Sequence, residues 1–480
     1  MKLSVEHIIA ATGGEIIERG PAAFAGVGTD SRTIERGRLF VPIVGERFDG
    51  HNFVQAALER GATGFVFSPE KLPVERAADF AKDHRAAAVA VKDTLKALGD
   101  MARFVRESIP GLRVAAVTGS TGKSTVKEMV AAILSESMRV AKSEGNLNNL
   151  VGLPLTLLAL SEPLDAAVLE MGTNSPGEIA RLAEIAGPDV GCVTNVGPVH
   201  LEGLRSVKGV AREKGDLARA IKPGGIFVAN CDDSFVRAMV SETRADLICY
   251  GLDDRRIAGC REFVAACEIN AGAESTEMTL VIGGSELRVT VGAPGRHNVL
   301  NALAAAAVAT AMGSTPDEIT RGFDKWRPMG MRGEIRKLNK NVTVLVDCYN
   351  SNPVSLDAAL TLPAKYPGRR VAVIGDMLEL GDYAEEAHKK AGENAAEAGV
   401  KMLVAVGDWA QTIKKGFIER AASDAEVAVA KDAEQAASLM MEKLRDGDTI
   451  LVKGSRLLHL ETVVEAIEND LGLRPEEGGD

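Results

Sequence analysis

At 480 residues the chain is too long for one ordinary core, and its length points to about three domains. A hydrophobic share of 46% and a charged share of 26% exclude a disordered or fibrous chain and describe a soluble globular one. The net charge of −11 comes without any basic block, which excludes nucleic acid as a partner and requires any phosphate site to concentrate positive charge in a cleft.

The first segment, 1–85, reads as a small mixed α/β domain. Val27, Leu39-Phe40-Val41 and Phe65-Val66-Phe67 are short strands, and Phe53 to Arg60 is a helix stopped by Gly61. Two polar loops, Thr29-Asp30-Ser31-Arg32 and Gly45 to His51 (with Asp49), are either turn chemistry or ligand contacts. No signal-peptide core precedes Glu6.

The second segment, 86–313, alternates strands with helices: Ala87–Val91, Val114–Val117, Ala166–Glu170, Val190–Thr194 and Ile226–Val228 are the strand candidates. Such alternation predicts a parallel, doubly wound sheet with ligands at the carboxyl ends of its strands. The polar residues at those ends are Lys123, Glu170, Asn195 and His200. The alanine-rich helix Val299 to Met312 follows, and its apolar run from Ala302 is too short to cross a bilayer. After Gly313 and Pro316 the third segment, 314–480, repeats the α/β pattern as a Rossmann-like domain with strands Val342–Val346, Val371–Ile374, Met402–Val406 and Thr449–Val452. A polar acidic tail, 474–480, is expected to fray. The six cysteines form no C-x-x-C pair, a usage that fits reduced thiols and a cytoplasmic chain.

Thr118-Gly119-Ser120-Thr121-Gly122-Lys123-Ser124-Thr125 joins a β-branched strand to a helix. A glycine-rich turn there aims backbone N–H groups and the positive helix end at an anion. Lys123 supplies a point charge for the β/γ-phosphates, and Ser124 offers a hydroxyl to a phosphate-bound Mg²⁺. The loop is shorter than the common form, which would need glycine where Val117 stands. A nucleoside triphosphate is the expected ligand.

Other residues admit two readings each. Glu170 closes a buried strand beside this loop, where it holds Mg²⁺ or is a solvated acid. His200 is a metal ligand or an ordinary structural histidine. Lys214, on the helical stretch Gly209 to Ala220, is by itself a solvated lysine. Asn298 and Asn301, three apart, bracket a purine, or Asn298 caps its helix. Lys453 and Arg456 return positive charge in the third segment, as closure on an anionic substrate requires.

In order along the chain, these motifs resemble the Mur ligase family. The resemblance rests on the short phosphate loop, Glu144-Gly145-Asn146-Leu147-Asn148-Asn149 with Gly152-Leu153-Pro154, Leu169-Glu170-Met171-Gly172, and Asn195-Val196-Gly197 with His200-Leu201-Glu202. Gly295-x-His297-Asn298-x-x-Asn301 continues it, followed by Asp347-x-Tyr349-Asn350-x-Asn352-Pro353, Gly375-Asp376-Met377-x-Glu379-Leu380-Gly381 and Lys453-Gly454-Ser455-Arg456. The last three favour the dipeptide-adding branch. Ser175 stands where many relatives carry histidine, and Cys348 and Ser351 where alanines are common.

The resemblance implies an α/β chain of three domains: a UDP-sugar-binding N-terminal domain, a central ATPase-like parallel sheet and a C-terminal Rossmann-like ligase domain. It implies ATP and Mg²⁺ as cofactors, with Gly119 to Thr125 on the phosphates and Ser124, Glu170 and His200 on metal. Lys123, Glu170, His200 and Lys214 would form the catalytic set, with Lys214 carbamylated. Asn298, Asn301, Arg332, Asp347 and Tyr349 would contact the nucleotide, and Ser31, Arg32, Asp49 and His51 the UDP-sugar. Asn148, Asn149, Asn350, Asn352, Lys453, Ser455 and Arg456 would contact the remaining substrate. The implied partners are UDP-N-acetylmuramoyl-tripeptide and D-alanyl-D-alanine, with no membrane insertion and a monomeric chain. A family member adding a single amino acid is the alternative; a folylpolyglutamate synthase or a nucleotide switch fits the N-terminal segment less well.

Overall fold

A computed structural model describes residues 3–45, 47–161, 163–253 and 256–474. Glu46 in the second polar loop, and all of the 474–480 tail except Arg474, lie outside the described residues.

Three sheets organise the chain. The first has five strands in the order Glu15–Glu18, Ala87–Ala90, Gly64–Phe67, Leu39–Phe40 and Val27–Gly28, antiparallel only at the Glu15–Glu18 edge. The pleat sends Phe65 and Phe67 to one core and Val66 to the other. Ala87–Ala90, expected to open the central sheet, is here instead, between Glu15–Glu18 and Gly64–Phe67. Four buried small residues look alike in any strand covered on both faces, so their pattern could not say which sheet receives them.

The second sheet has nine strands. From Cys260–Ala271 the order runs through Asp246–Tyr250, Ile226–Asn230, Val190–Val193, Arg113–Thr118, Ala166–Glu170 and Val140–Lys142, all parallel. Thr276–Ile282 and Ser285–Val291 extend it as an antiparallel hairpin. The hairpin escapes a search for continuous apolar runs because its outer strand alternates buried with exposed charged positions. Helices cover both faces. Arg296–Ala311 is buried on almost every side, which its run of alanines permits by admitting neighbours close to the backbone.

The third sheet runs Glu334–Lys337, Thr343–Val346, Thr449–Lys453, Arg370–Gly375, Met402–Val406 and Glu426–Ala430, parallel except at its first edge. It leans on the second through the 271–273 turn of the hairpin. Lys365 Nζ donates to the carbonyls of Ala271 (2.8 Å) and Gly272 (3.0 Å), and the Tyr366 hydroxyl donates to that of Ala273 (2.7 Å). All six cysteines are free thiols, four of them buried. No described helix is long and apolar enough to cross a membrane.

Arg113 ties the start of the phosphate-loop strand to the end of the alanine-rich helix. Its guanidinium donates to the carbonyls of Met312 (2.8 Å) and Ala311 (3.1 Å), which the helix end leaves unpaired. Arg113→Met should therefore cost about 1 kcal/mol of stability, read as a lower urea midpoint with nucleotide affinity unchanged.

Candidate active site between the second and third domains

The carboxyl ends of Arg113–Thr118, Ala166–Glu170, Val190–Val193 and Ile226–Asn230 open into a cleft of about 780 Å³ whose opposite wall comes from the third sheet's loops. The phosphate loop floors it. Gly122 has φ +80°, and a Cβ there would stand 2.2 Å from Asn301 Oδ1. At Gly119 a Cβ would stand 1.8 Å from Thr194 Oγ1. The following strand's end fixes the loop: Asn195 accepts the Ser120 N–H on its carbonyl (3.0 Å) and the Thr121 N–H on Oδ1 (3.0 Å). Thr194 Oγ1 donates to the Thr121 carbonyl at 2.6 Å. The helix Lys123–Leu134 then starts with no side-chain cap, which leaves its first N–H groups for an anion.

Lys123 Nζ donates to the Gly119 carbonyl (2.9 Å). Burial lowers its pKa, Glu170 opposes this, and Arg332 adds repulsion from the third domain. Glu170, buried at its strand end, accepts Ser124 Oγ at 2.7 Å and Asn148 Nδ2 at 2.8 Å. A carboxylate and a hydroxyl beside a phosphate loop are the hard oxygen donors Mg²⁺ takes, so these residues fit the ion. Among the described residues no three His, Cys, Asp or Glu side chains gather as a metal cage. A divalent ion here would draw its remaining ligands from phosphate and water, as Mg²⁺ commonly does.

Lys214 departs from its sequence reading. The helix Val207–Ala220, capped by Ser206, buries it to 1% exposure, and its Nζ has neither hydrogen bond nor ion pair among the described residues. Burial first, then Lys123, pushes its pKa well below the ordinary 10.5, against a smaller pull from Glu213. Glu213 points the other way and takes the N–H groups of Gly177 (2.7 Å) and Ile179 (2.8 Å). Lys214 is thus an amine held toward its neutral form behind the phosphate loop.

Gly295, not Asn298, caps Arg296–Ala311. Asn298 donates to the Pro294 carbonyl (2.8 Å) and accepts from Asn301 (3.2 Å), so both amides share the cleft face as their spacing predicted. Across the cleft the Arg332 guanidinium lies 4.0 Å over the Tyr349 ring, and its buried Nε has no hydrogen-bond partner. His200 also lines the cleft, with Nδ1 hydrogen-bonded to Glu379 of the third domain.

Several residues expected on substrate spend their polar atoms on their own or adjoining loops. Lys453, buried, donates to Asp347 Oδ2 (2.7 Å) and the Asn350 carbonyl (3.0 Å), so it braces the loop that carries Tyr349. Asn352 caps Pro353–Leu360 through the Ser355 N–H (2.9 Å), and Asn149 Oδ1 accepts the Gly152 N–H (2.8 Å). Ser455 Oγ accepts the Leu378 N–H (3.1 Å), and Arg456 pairs with Glu461 (2.5 Å). Asn149, Asn352 and Ser455 are short polar types at loop ends, for which capping and ligand contact have one sequence signature.

Ser31, Arg32, Asp49 and His51 do not line this cleft. His51 is buried, its Nδ1 against Asp49 Oδ1 (2.7 Å) and its Nε2 accepting the Ser68 N–H (3.0 Å). Ser31 and Arg32 stand on an outer turn, where Arg32 grips Asp30 through two bonds (3.0 and 2.7 Å) and holds that carboxyl down at about 2. Asp233, His297 and Glu379 are among the cleft residues to which the sequence assigned no role. Asp233 accepts the Val196 N–H (2.9 Å), His297 is kept toward its neutral form by burial, and Glu379 reaches His200. His297 and Glu379 fall inside quoted motifs, which was the available signal.

The comparisons agree with this geometry. Models of the Mur ligase catalytic, middle and glutamate ligase domains match residues 23–106, 117–309 and 331–456. The chain is 37% identical to UDP-N-acetylmuramoyl-tripeptide–D-alanyl-D-alanine ligase of Escherichia coli, over 92% of this chain and 94% of that one. It is 34% identical to the ligase of the same name from Bacillus subtilis, over 93% and 94%. A crystal structure of MurF from Acinetobacter baumannii superposes with a TM-score of 0.87 at 30% identity, covering 98% of this chain and 99% of that one. MurF ligase from Thermotoga maritima in complex with ADP gives 0.79 at 26% identity, over 93% and 97%. The chain belongs to the Mur ligase family and is an ATP-dependent carboxylate–amine ligase of three α/β domains.

Gly122→Ala should weaken nucleotide binding about tenfold to a hundredfold, from positive-φ strain and the clash with Asn301; calorimetric titration with ADP measures it. The buried lysine makes a second expectation. Between the lowered native pKa of Lys214 and 10.5 the unfolded chain binds a proton that the native one does not, so the cost of burying this amine falls as pH rises. Lys214→Met should raise the melting temperature in CO₂-free buffer, most at low pH, with a gain that shrinks as pH approaches 10.5.

Proposed function

We propose that this chain joins D-alanyl-D-alanine to UDP-N-acetylmuramoyl-tripeptide at the expense of ATP, giving the UDP-N-acetylmuramoyl-pentapeptide of peptidoglycan synthesis. The observation that carries the reading is the single cleft in which the phosphate loop, Glu170 and the third-domain loop around Tyr349 face one another. Relatives of that activity match the chain along nearly its whole length.

The tripeptide carboxylate attacks the γ-phosphorus, and the bond to ADP breaks, leaving an acyl phosphate. The dipeptide amine then attacks the acyl carbon; phosphate leaves, the nitrogen loses a proton, and an amide remains. Neither step needs a covalent enzyme nucleophile, only positioning and charge neutralisation. The uncapped helix start and Lys123 hold the phosphates. Ser124 and Glu170, with His200, would hold Mg²⁺, which supplies the charge that offsets the developing negative oxygens. Asn298 and Asn301 on one side, and Arg332 with Tyr349 on the other, bracket the nucleotide. Asp347, fixed by Lys453, sets the position of that second wall. An acyl phosphate hydrolyses in water, so the third domain over the cleft protects it.

Lys214 supports a carbamate in this reading. A neutral buried amine attacks the carbon of CO₂ and releases one proton, leaving an anion near Lys123 and removing an unpaired buried base. The N-terminal domain receives the UDP-sugar, through Ser31, Arg32 and the loop around Asp49 and His51. The chain works as a monomer in the cytoplasm.

Phosphate release from ATP and Mg²⁺ should depend on both the UDP-tripeptide and D-Ala-D-Ala, with a UDP-pentapeptide product. Turnover with a single amino acid in place of the dipeptide would move the chain to an earlier step of the family. Lys214→Ala should lose about a hundredfold or more in kcat and regain part of it with a short added carboxylate; full activity without the additive would end the carbamate assignment.

A further inference from the structure

Glu379 belongs to the third domain and His200 to the second, and neither has an ordinary backbone. Both are non-glycine residues at positive φ, +63° and +52°. Such conformations persist only where their surroundings over-determine them. At His200 the positive φ opens the short helix Leu201–Leu204.

The loop bearing Glu379 is fastened at successive residues. The Asp376 carbonyl accepts the Ser455 N–H (3.1 Å), and its carboxylate accepts the N–H groups of Asp408 (2.8 Å) and Trp409 (3.0 Å). The Met377 N–H is donated to Nε2 of buried His388 (2.8 Å), whose ring stacks on Trp409 at 5.1 Å, and the Leu378 N–H goes to Ser455 (3.1 Å). Glu379 is then a fixed post projected at the second domain. Its carbonyl accepts the Glu202 N–H (3.3 Å) and its carboxylate meets Nδ1 of His200.

We propose that Glu379 is a positioning residue for His200, so that the divalent-cation site of the second domain is completed by a carboxylate from the third. An ionised carboxylate only accepts, so Nδ1 carries a proton, and in the neutral ring that leaves the lone pair on Nε2. Nε2 has no protein hydrogen bond among the described residues, and the ring lines the cleft. A carboxylate behind a histidine fixes the tautomer and ring plane of a metal-binding imidazole. Because the two groups come from different domains, His200 is oriented only while the domains are together, and cation affinity becomes a measure of closure. The inference rests on the reading of His200 as a cation ligand.

Mn²⁺ binding to the full chain with ADP, followed by electron paramagnetic resonance, tests it. Small-angle scattering reports closure in the same samples, and thermal melts report folding. Glu379→Ala should weaken Mn²⁺ about tenfold and Glu379→Gln, which keeps an acceptor, much less. The double variant with His200→Ala should bind no more weakly than His200→Ala alone. If Glu379→Ala alters scattering but not Mn²⁺ affinity while His200→Ala lowers it, Glu379 is only an interdomain contact and the proposal fails. If His200→Ala leaves Mn²⁺ affinity unchanged, the cation reading of His200 fails first.

Discussion

The site depends on a near-contact between backbone and side chain at the phosphate loop. Gly119 presses on Thr194 and Gly122 on Asn301, at distances that admit no Cβ. Those two approaches lock the loop to the end of the neighbouring strand and to the alanine-rich helix. The helix start therefore points its unpaired N–H groups at one spot, and Asn301 stands beside them because its helix is buried nearly all round. Arg113 closes the circuit from the other end of the same helix.

Charge organises the cleft against the chain's overall sign. A protein of net charge −11 places Lys123 and Arg332 on one crevice, and Lys214, close enough to feel Lys123, has no ion pair among the described residues. Burial first, then repulsion from Arg332 at Lys123 and from Lys123 at Lys214, drives both lysines toward their neutral forms, an arrangement that an incoming polyanion relieves. Lys453 shows the contrasting case: also buried, it is paired with Asp347 and the Asn350 carbonyl on the loop that carries Tyr349 and serves the architecture.

The third domain does more than roof the crevice. It bonds to the hairpin turn through Lys365 and Tyr366, and it sets Glu379 against His200 from a loop fastened at Asp376, Met377 and Leu378. Rigid mounting matters because a hydrogen bond between domains orients a side chain only if its own base does not move.

Local sequence alone determined the phosphate loop, the central strands, the shared face of Asn298 and Asn301 and the carboxylate at the end of Ala166–Glu170. Each is set by neighbours within a few residues: a glycine pair, a β-branched run, or a helical spacing of three. Only the tertiary structure decided that Ala87–Ala90 joins the first sheet, that Lys214 is buried, that Lys453, Asn352 and Asn149 brace loops, and that Glu379 finds His200. A lysine on an amphipathic helix has the same local pattern whether its face meets water or a second helix, and an asparagine at a loop end caps or binds with the same atoms. Burial and pairing are properties of what packs opposite, and residues 179 apart in the chain, as His200 and Glu379 are, carry no local sign of each other.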